Sequence, residues 1–346
     1  MGLQILEAYA RTPLGLTAQT SAAAVRAGIS RIGDHPVWCD LAGEPIRMAR
    51  DGVLSPELCG VDRVFELATA PLLAACDSCR ARAPSVPIRV ILGLPQLRPG
   101  WTAAHEQRYI QRIDQLTHPR GNVQLVYTKK RGHAATLAAL DIAVRAIAQG
   151  GDELFVVGGA DSYHEPKTLA WLQRNGQLKT LATRSGFLPG EGAGFVVAAS
   201  TRLTAHFHRG DRVEVLGSAS ALEPKLIKTG ADTVGEGLSR AIREAAASLR
   251  SPVHNIYCDI NGERYRTDEW AFVSLRCHSV LDDPAGYVAP VDCWGDLGAA
   301  TGTVGLSLAM QAWERGYARG PTALICAGSE DGLRCVTVLE RTKGRD

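Results

Sequence analysis

The sequence predicts an α/β protein made of two similar halves, and three observations carry that expectation. Strand-like and helix-like runs alternate along the 346 residues. The segment GHAATLAALDIAVRAIAQGGDELFVVGGADS, 132–162, resembles GDLGAATGTVGLSLAMQAWERGYARGPTALICAGSED, 295–331. Each opens on glycine and a polar residue, continues as a helix, breaks at glycine, and ends in an apolar strand closing on Gly-Ala-Asp or Gly-Ser-Glu. Both helices are rich in small residues, which permit close backbone approach and so predict burial. Such a duplication brings the two helices together near a pseudo-twofold axis, with halves at 1–200 and 201–346.

The elements follow in order. VFELATAPLLAACDSCRARA reads as a helix, so Cys76 and Cys79 are ordinary helix cysteines rather than half of a zinc or redox site. Ile88–Leu94 and Asn122–Tyr127 read as strands, followed by a helix from His133 to Gln149 and a strand Glu153–Val157. Gly186–Val197 is a glycine-rich turn entering a strand, and no Lys-Ser or Lys-Thr pair follows to make it a phosphate loop. Thr233-Val-Gly-Glu236 has the form of a capping box and opens a helix to Leu249. Asn255–Ile260 is a strand, and Thr267 caps a helix from Asp268 to Arg276.

Composition excludes several classes. With 38 Lys plus Arg against 36 Asp plus Glu, the net charge is +2, and no basic stripe points to nucleic acid. No run approaches the roughly 18 apolar residues of a membrane span. The start, MGLQILEAYARTPLG, lacks the pattern of a signal peptide. Nine scattered cysteines, an odd number, predict reduced thiols in the cytoplasm. His206 and His208 read as exposed histidines in a polar connection. No motif calls for a cofactor or a metal.

Several stretches resemble the β-ketoacyl synthases, the condensing enzymes of the thiolase fold. ARTPLGLTAQTSAAAVRAGIS is similar to the family's opening strand, Thr-Pro-x-Gly turn and helix. AQGGDELFVVGGA, 148–160, is similar to the helix end and strand that follow the family's nucleophile. SGFLPGEGAGFVV, 185–197, is close to the Gly-Phe-x-x-Gly-Glu-Gly-Ala-Gly signature, in which Glu191 is expected to be structural. GDLGAATG, 295–302, resembles Gly-His-x-x-Gly-Ala-x-Gly. The resemblance implies a thiolase-like fold, each half a mixed β-sheet with helices, layered α-β-α-β-α. It also implies a chain shorter than the family's norm, with the shortening before Val123.

Such enzymes use a cysteine at a helix tip, where the positive end of the helix dipole favours thiolate, two histidines, and backbone N–H groups that stabilise an oxyanion. Placed on this chain by the resemblance, the cysteine position falls on His133, in TKKRGHAATLAAL. The two histidine positions fall on Asn261 and Asp296, and a family lysine on Val291. Gly132, Asp259, Glu263, Ser329, Glu330 and Asp331 are expected to line the pocket. Cys258 and Cys326 read as buried strand residues and Cys293 lies just before Gly295, so none of them replaces the nucleophile.

Two readings of this set stand side by side. In one, His133 is neutral near pH 7, held so by the helix terminus and by Lys129, Lys130 and Arg131, and acts as a base oriented by Asp296. That arrangement gives an acyl-thioester hydrolase, decarboxylase or acyltransferase, with Asn261 assisting. In the other, His133 and Asp296 satisfy each other's polar groups in a filled pocket. The polar run 259–270 likewise reads either as a buried charge network or as a self-bonded loop. The expectation that follows is a non-catalytic synthase-like protein acting by binding, either as a partner subunit or as an adaptor or scaffold. It would form a homodimer, or a heterodimer with a related ketosynthase, and could meet an acyl carrier protein.

Overall fold

The computed structural model describes residues 2–204, 207, 211–226, 229–231 and 233–344. In the first part of the chain these are β1 (Leu3–Arg11), α1 (Ala18–Arg26), β2 (Ile32–Cys39), β3 (Pro45–Ala49), α2 (Gly60–Arg82), β4 (Ile88–Leu94), α3 (Ala103–Thr117), β5 (Val123–Arg131), α4 (Ala135–Ala148), β6 (Leu154–Ser162), α5 (Pro166–Arg174) and β7 (Glu191–Ser200). Next come β8 (Arg212–Leu222), α6 (Glu236–Ala245), β9 (Asn255–Tyr257), α7 (Arg264–Arg276), α8 (Val291–Trp294), α9 (Thr301–Glu314), β10 (Thr322–Gly328) and β11 (Leu333–Thr342). His206 and His208 lie outside the described residues.

The strands form one sheet in the order β5-β4-β6-β7-β1-β8-β11-β10-β9, with β2 and β3 as a separate hairpin. The internal duplication appears in the pairing. β4 runs parallel to β6, which is antiparallel to β7, itself antiparallel to β1. β9 runs parallel to β10, which is antiparallel to β11, itself antiparallel to β8. The two sets meet edge to edge through a short contact, Gln4 with Glu214 and Ile5 with Val213.

Side chains alternate across each strand and so feed three separate cores. α4 and α9 share the central one with Phe155, Val157, Val196, Ile325 and Leu339. α2 and α3 cover the outer face of the first strand set through Leu67, Leu72 and Ile113 against Val90, Val156 and Val197. α6 and α7 do the same for the second through Ile242 and Val273 against Leu324 and Val336. The result is the α-β-α-β-α layering. A Cβ added at Gly302 would sit 2.7 Å from Leu137 on the facing helix, so only glycine allows this approach of α4 and α9.

Two helix starts differ from the expectation. α6 begins at Glu236 behind Gly235, which adopts φ 65°, and Thr233 makes no capping box. The helix also stops at Ala245 rather than Leu249. α7 begins at Arg264, three residues before Thr267, with Glu263 at the cap position. Buried polar contacts of Glu263 and Arg266, described below, set that start in place of a local cap. Cys76 and Cys79 are buried inside α2, and all nine thiols are free. No helix among the described residues is long and apolar enough to cross a membrane.

The β2–β3 hairpin packs Ile46 and Met48 against Leu169, Leu172 and Phe187. His35 stacks on Trp38 at 4.1 Å and lies beside His164 at 4.9 Å. Burial first, then the neighbouring charges of His164, Arg50 and Arg63, push His35 down to about 4. Burial and Arg63 do the same to His164, also to about 4. Both folded values lie below the unfolded one of about 6.5, so the unfolded chain binds more protons between these limits. Stability is therefore expected to fall as pH drops from about 6.5 to 4. Thermal melting across that range should show the loss, and His164→Gln should make it shallower; equal slopes would refute the assignment.

Candidate functional site

The end of β5 turns into α4 through Gly132, whose φ of 81° and 3.0 Å clearance to Ser329 Oγ admit no larger residue. Ser329 Oγ donates to the Arg131 carbonyl at 2.6 Å and accepts from Ala134 N–H at 3.1 Å, tying the β10–β11 turn to the helix tip. His133 lies just before the first helical residue, Ala135, rather than inside the helix. Opposite it, Asp296 N–H donates to the Leu188 carbonyl at 2.8 Å, which fixes Asp296 against the glycine-rich turn.

Asp296 is the hub. His133 Nε2 lies 2.7 Å from Asp296 Oδ1 and 2.9 Å from Oδ2. Asn261 Nδ2 donates to Oδ2 at 2.6 Å, while Gly298 N–H and Tyr163 OH donate to Oδ1 at 2.8 and 3.3 Å. On the other side of the ring, Arg266 Nη2 stands 3.3 Å from His133 Nδ1. Arg266 also donates to Asp259 and to the Gly328 carbonyl, and lies 3.5 Å from Glu263. Asn261 and Glu263 bond to each other, and Gln177 Nε2 bridges Glu263 and Glu330 at 3.2 and 2.5 Å. The 259–266 part of the polar run is thus a buried network, while Arg264 points outward to Asp268.

The electrostatics correct one expectation. Burial and Arg266 push His133 down, but the Asp296 carboxylate outweighs both, so the ring's proton affinity is raised rather than lowered. The side chain of Lys129, invoked for the opposite effect, lies outside the described residues. Burial pushes Asp296 upward, yet His133, Arg266 and Asn261 together hold it far below the usual carboxylate range. Burial raises Glu263 despite Arg266. Tyr163 is raised by burial and by Asp296, and stays a protonated donor.

The ring has no free nitrogen. In the neutral form Nε2–H donates to Asp296 and the Nδ1 lone pair faces the Arg266 guanidinium, a group that only donates. In the imidazolium both nitrogens carry protons. In neither state does a lone pair face open space, as a base or nucleophile requires.

The space beside the ring is small. A cavity of about 30 Å³ is lined by His133, Asp296, Asp259, Cys258, Cys326 and Val291, among others. A second of about 20 Å³ lies across the ring beside Gly132, Arg98, Tyr163 and Glu330. Each has room for a water or two, against roughly 300–1,000 Å³ for a ligand pocket. Of the expected lining residues, Asp331 is exposed and its carboxylate turns to Leu333 N–H, so it does not face the site. Sequence reasoning passed over Tyr163, Gln177 and Arg98, which arrive from separate loops with no local motif. Arg98 pairs with Asp161 at 2.5 Å and stacks over the Tyr163 ring at 4.7 Å. Among the described residues no three metal-ligating side chains converge.

Residues 120–202 match the family model of the β-ketoacyl synthase N-terminal domain. No curated protein sequence matches the chain. Among solved structures, the ishigamide ketosynthase/chain length factor is similar over 98% of this chain and 99% of that one, at 20% identity and a TM-score of 0.70. A ketosynthase in complex with its chain length factor from Xenorhabdus doucetiae is similar over 99% and 98%, at 14% identity and a TM-score of 0.75. The ketosynthase from module 6 of the bacillaene synthase of Bacillus subtilis 168 is similar over 99% of this chain and 72% of that one, at 15% identity and a TM-score of 0.74. The strand order, the layering and these neighbours agree on the fold, the thiolase-like α/β fold of the ketosynthases, and residues 120–202 resemble the N-terminal domain of the β-ketoacyl synthases.

Proposed function

We propose that the protein acts by binding, as a non-catalytic partner subunit of a competent ketosynthase in the cytoplasm. One observation carries this reading: the residue at the α4 tip is a histidine with both ring nitrogens engaged, beside a cavity too small for an acyl chain. An acyl-thioester enzyme built on His133, Asp296 and Asn261 would need a free lone pair and an open pocket. Similarity to structures described as ketosynthases with chain length factors supports the choice of partner. β5 ends the sheet with one open edge and Tyr127 46% exposed beside it, which suits strand-to-strand pairing between subunits. An acyl carrier protein would then meet the pair rather than this chain alone.

The test is co-expression with a cysteine-bearing ketosynthase encoded beside it. A one-to-one complex is expected, with no acyl adduct on this chain by intact mass after exposure to acyl- and malonyl-thioesters. Homodimers alone would overturn the partner assignment. An adduct, or thioester turnover that His133→Ala abolishes, would overturn the non-catalytic reading.

A further inference from the structure

Beyond β1 residues 4 and 5 the two strand sets part, and the gap opens into a groove of about 440 Å³, within the range of small-molecule sites. Ile5, Val213, Met310 and Trp313 supply apolar wall. Two charges at its margins are compensated: Asp211 accepts from Arg341 Nε at 2.6 Å, and Glu7 pairs with Arg82 at 2.8 Å. Glu314 is different. Among the described residues no cation pairs with it, and its recorded bond is from Gln311 Nε2 at 2.6 Å. Gln311 is 5% exposed, lines the groove, and has a carbonyl oxygen with no donor. An unmet acceptor and an uncompensated carboxylate thus stand within one hydrogen bond of each other beside an apolar wall. A buried acceptor without a donor carries a desolvation cost that a bound donor would relieve.

We propose that this groove binds a small organic ammonium ion with an apolar body. An ammonium group has three donors and no acceptor, so it can satisfy Glu314, and also Gln311 once the amide turns to bring its covered carbonyl oxygen to the groove, while its hydrocarbon part covers Met310 and Trp313. A carboxylate of the same shape would face Glu314 and lack the donors. The inference does not depend on the partner-subunit reading.

Calorimetric titration of the full chain with 2-phenylethylamine at pH 7, against 3-phenylpropionate, tests it. Saturable one-to-one binding is expected, at least about tenfold tighter for the amine, as one charge-assisted hydrogen bond supplies. Glu314 is exposed, so Glu314→Gln should keep the melting temperature and remove that preference. Failure of the amine to saturate, equal affinity for the two compounds, or amine binding unchanged in Glu314→Gln would each overturn the proposal.

Discussion

Arg63→Met is expected to cost about 3–5 kcal/mol of stability, the range for breaking a buried ion pair from one side. Arg63 and Glu191 are fully buried, with Nε to Oε2 at 2.5 Å and Nη2 to Oε1 at 2.6 Å. Glu191 also accepts from Asp51 N–H at 2.6 Å and Ser162 Oγ at 2.7 Å, so it joins β7, the end of β6 and the segment after β3. Removing the guanidinium leaves a carboxylate at the centre of the first strand set with only neutral donors. Chemical denaturation of the variant measures the loss. A cost below about 1 kcal/mol, the level of an exposed pair, would mean that this pair does not hold the region together. Arg63→Met with Glu191→Gln should recover much of the loss, because a neutral pair leaves no buried charge.

Asp296→Asn should have a comparable effect, about 3–5 kcal/mol, and should invert the titration of His133. Both Asp296 oxygens accept from donors, so the new amide NH2 must face Asn261, His133, Gly298 or Tyr163. With the carboxylate gone, burial and Arg266 decide the ring, and its proton affinity should fall below the ordinary value of about 6.5. In the unchanged protein the sign is opposite. The folded value is raised, so the His133 contribution is complete below about pH 6.5 and is lost as pH rises through the folded value. NMR titration of the imidazole ring reads the shift directly. A ring that titrates alike in both proteins would remove Asp296 as its controlling partner.

The parts of the fold legible in the sequence were those with continuous local patterns. Ile88–Leu94 is an apolar run interrupted only by Arg89 and is a buried strand at those bounds. The small-residue helices and the apolar strands after them announced the duplication that the sheet repeats. Helix starts were less legible where tertiary contacts set them. Gly235 takes a left-handed turn that the Thr-x-x-Glu pattern does not encode, and α7 starts early around the buried Arg266. The β2–β3 hairpin gave no signal because most of its residues are exposed and Gly33, Pro36 and Pro45 break any strand-like alternation. At the site, His133, Asn261 and Asp296 could be placed through the family resemblance, and they converge. The charge of His133 could not, because Arg266 and Asp296 act on it from 133 and 163 positions away.

The place of β1 bears on how the chain folds. This strand, 3–11, lies mid-sheet, yet its ladder neighbours are 193–200 and, at its start, 213–214. During synthesis it must wait until about two hundred residues have emerged before either neighbour can dock, with apolar side chains and strand edges open meanwhile. Loop closure over that span makes assembly slow and favours aggregation of early intermediates. Ribosome-bound fragments ending before residue 190 should therefore remain protease-sensitive in this strand and engage chaperones, whereas longer ones should not.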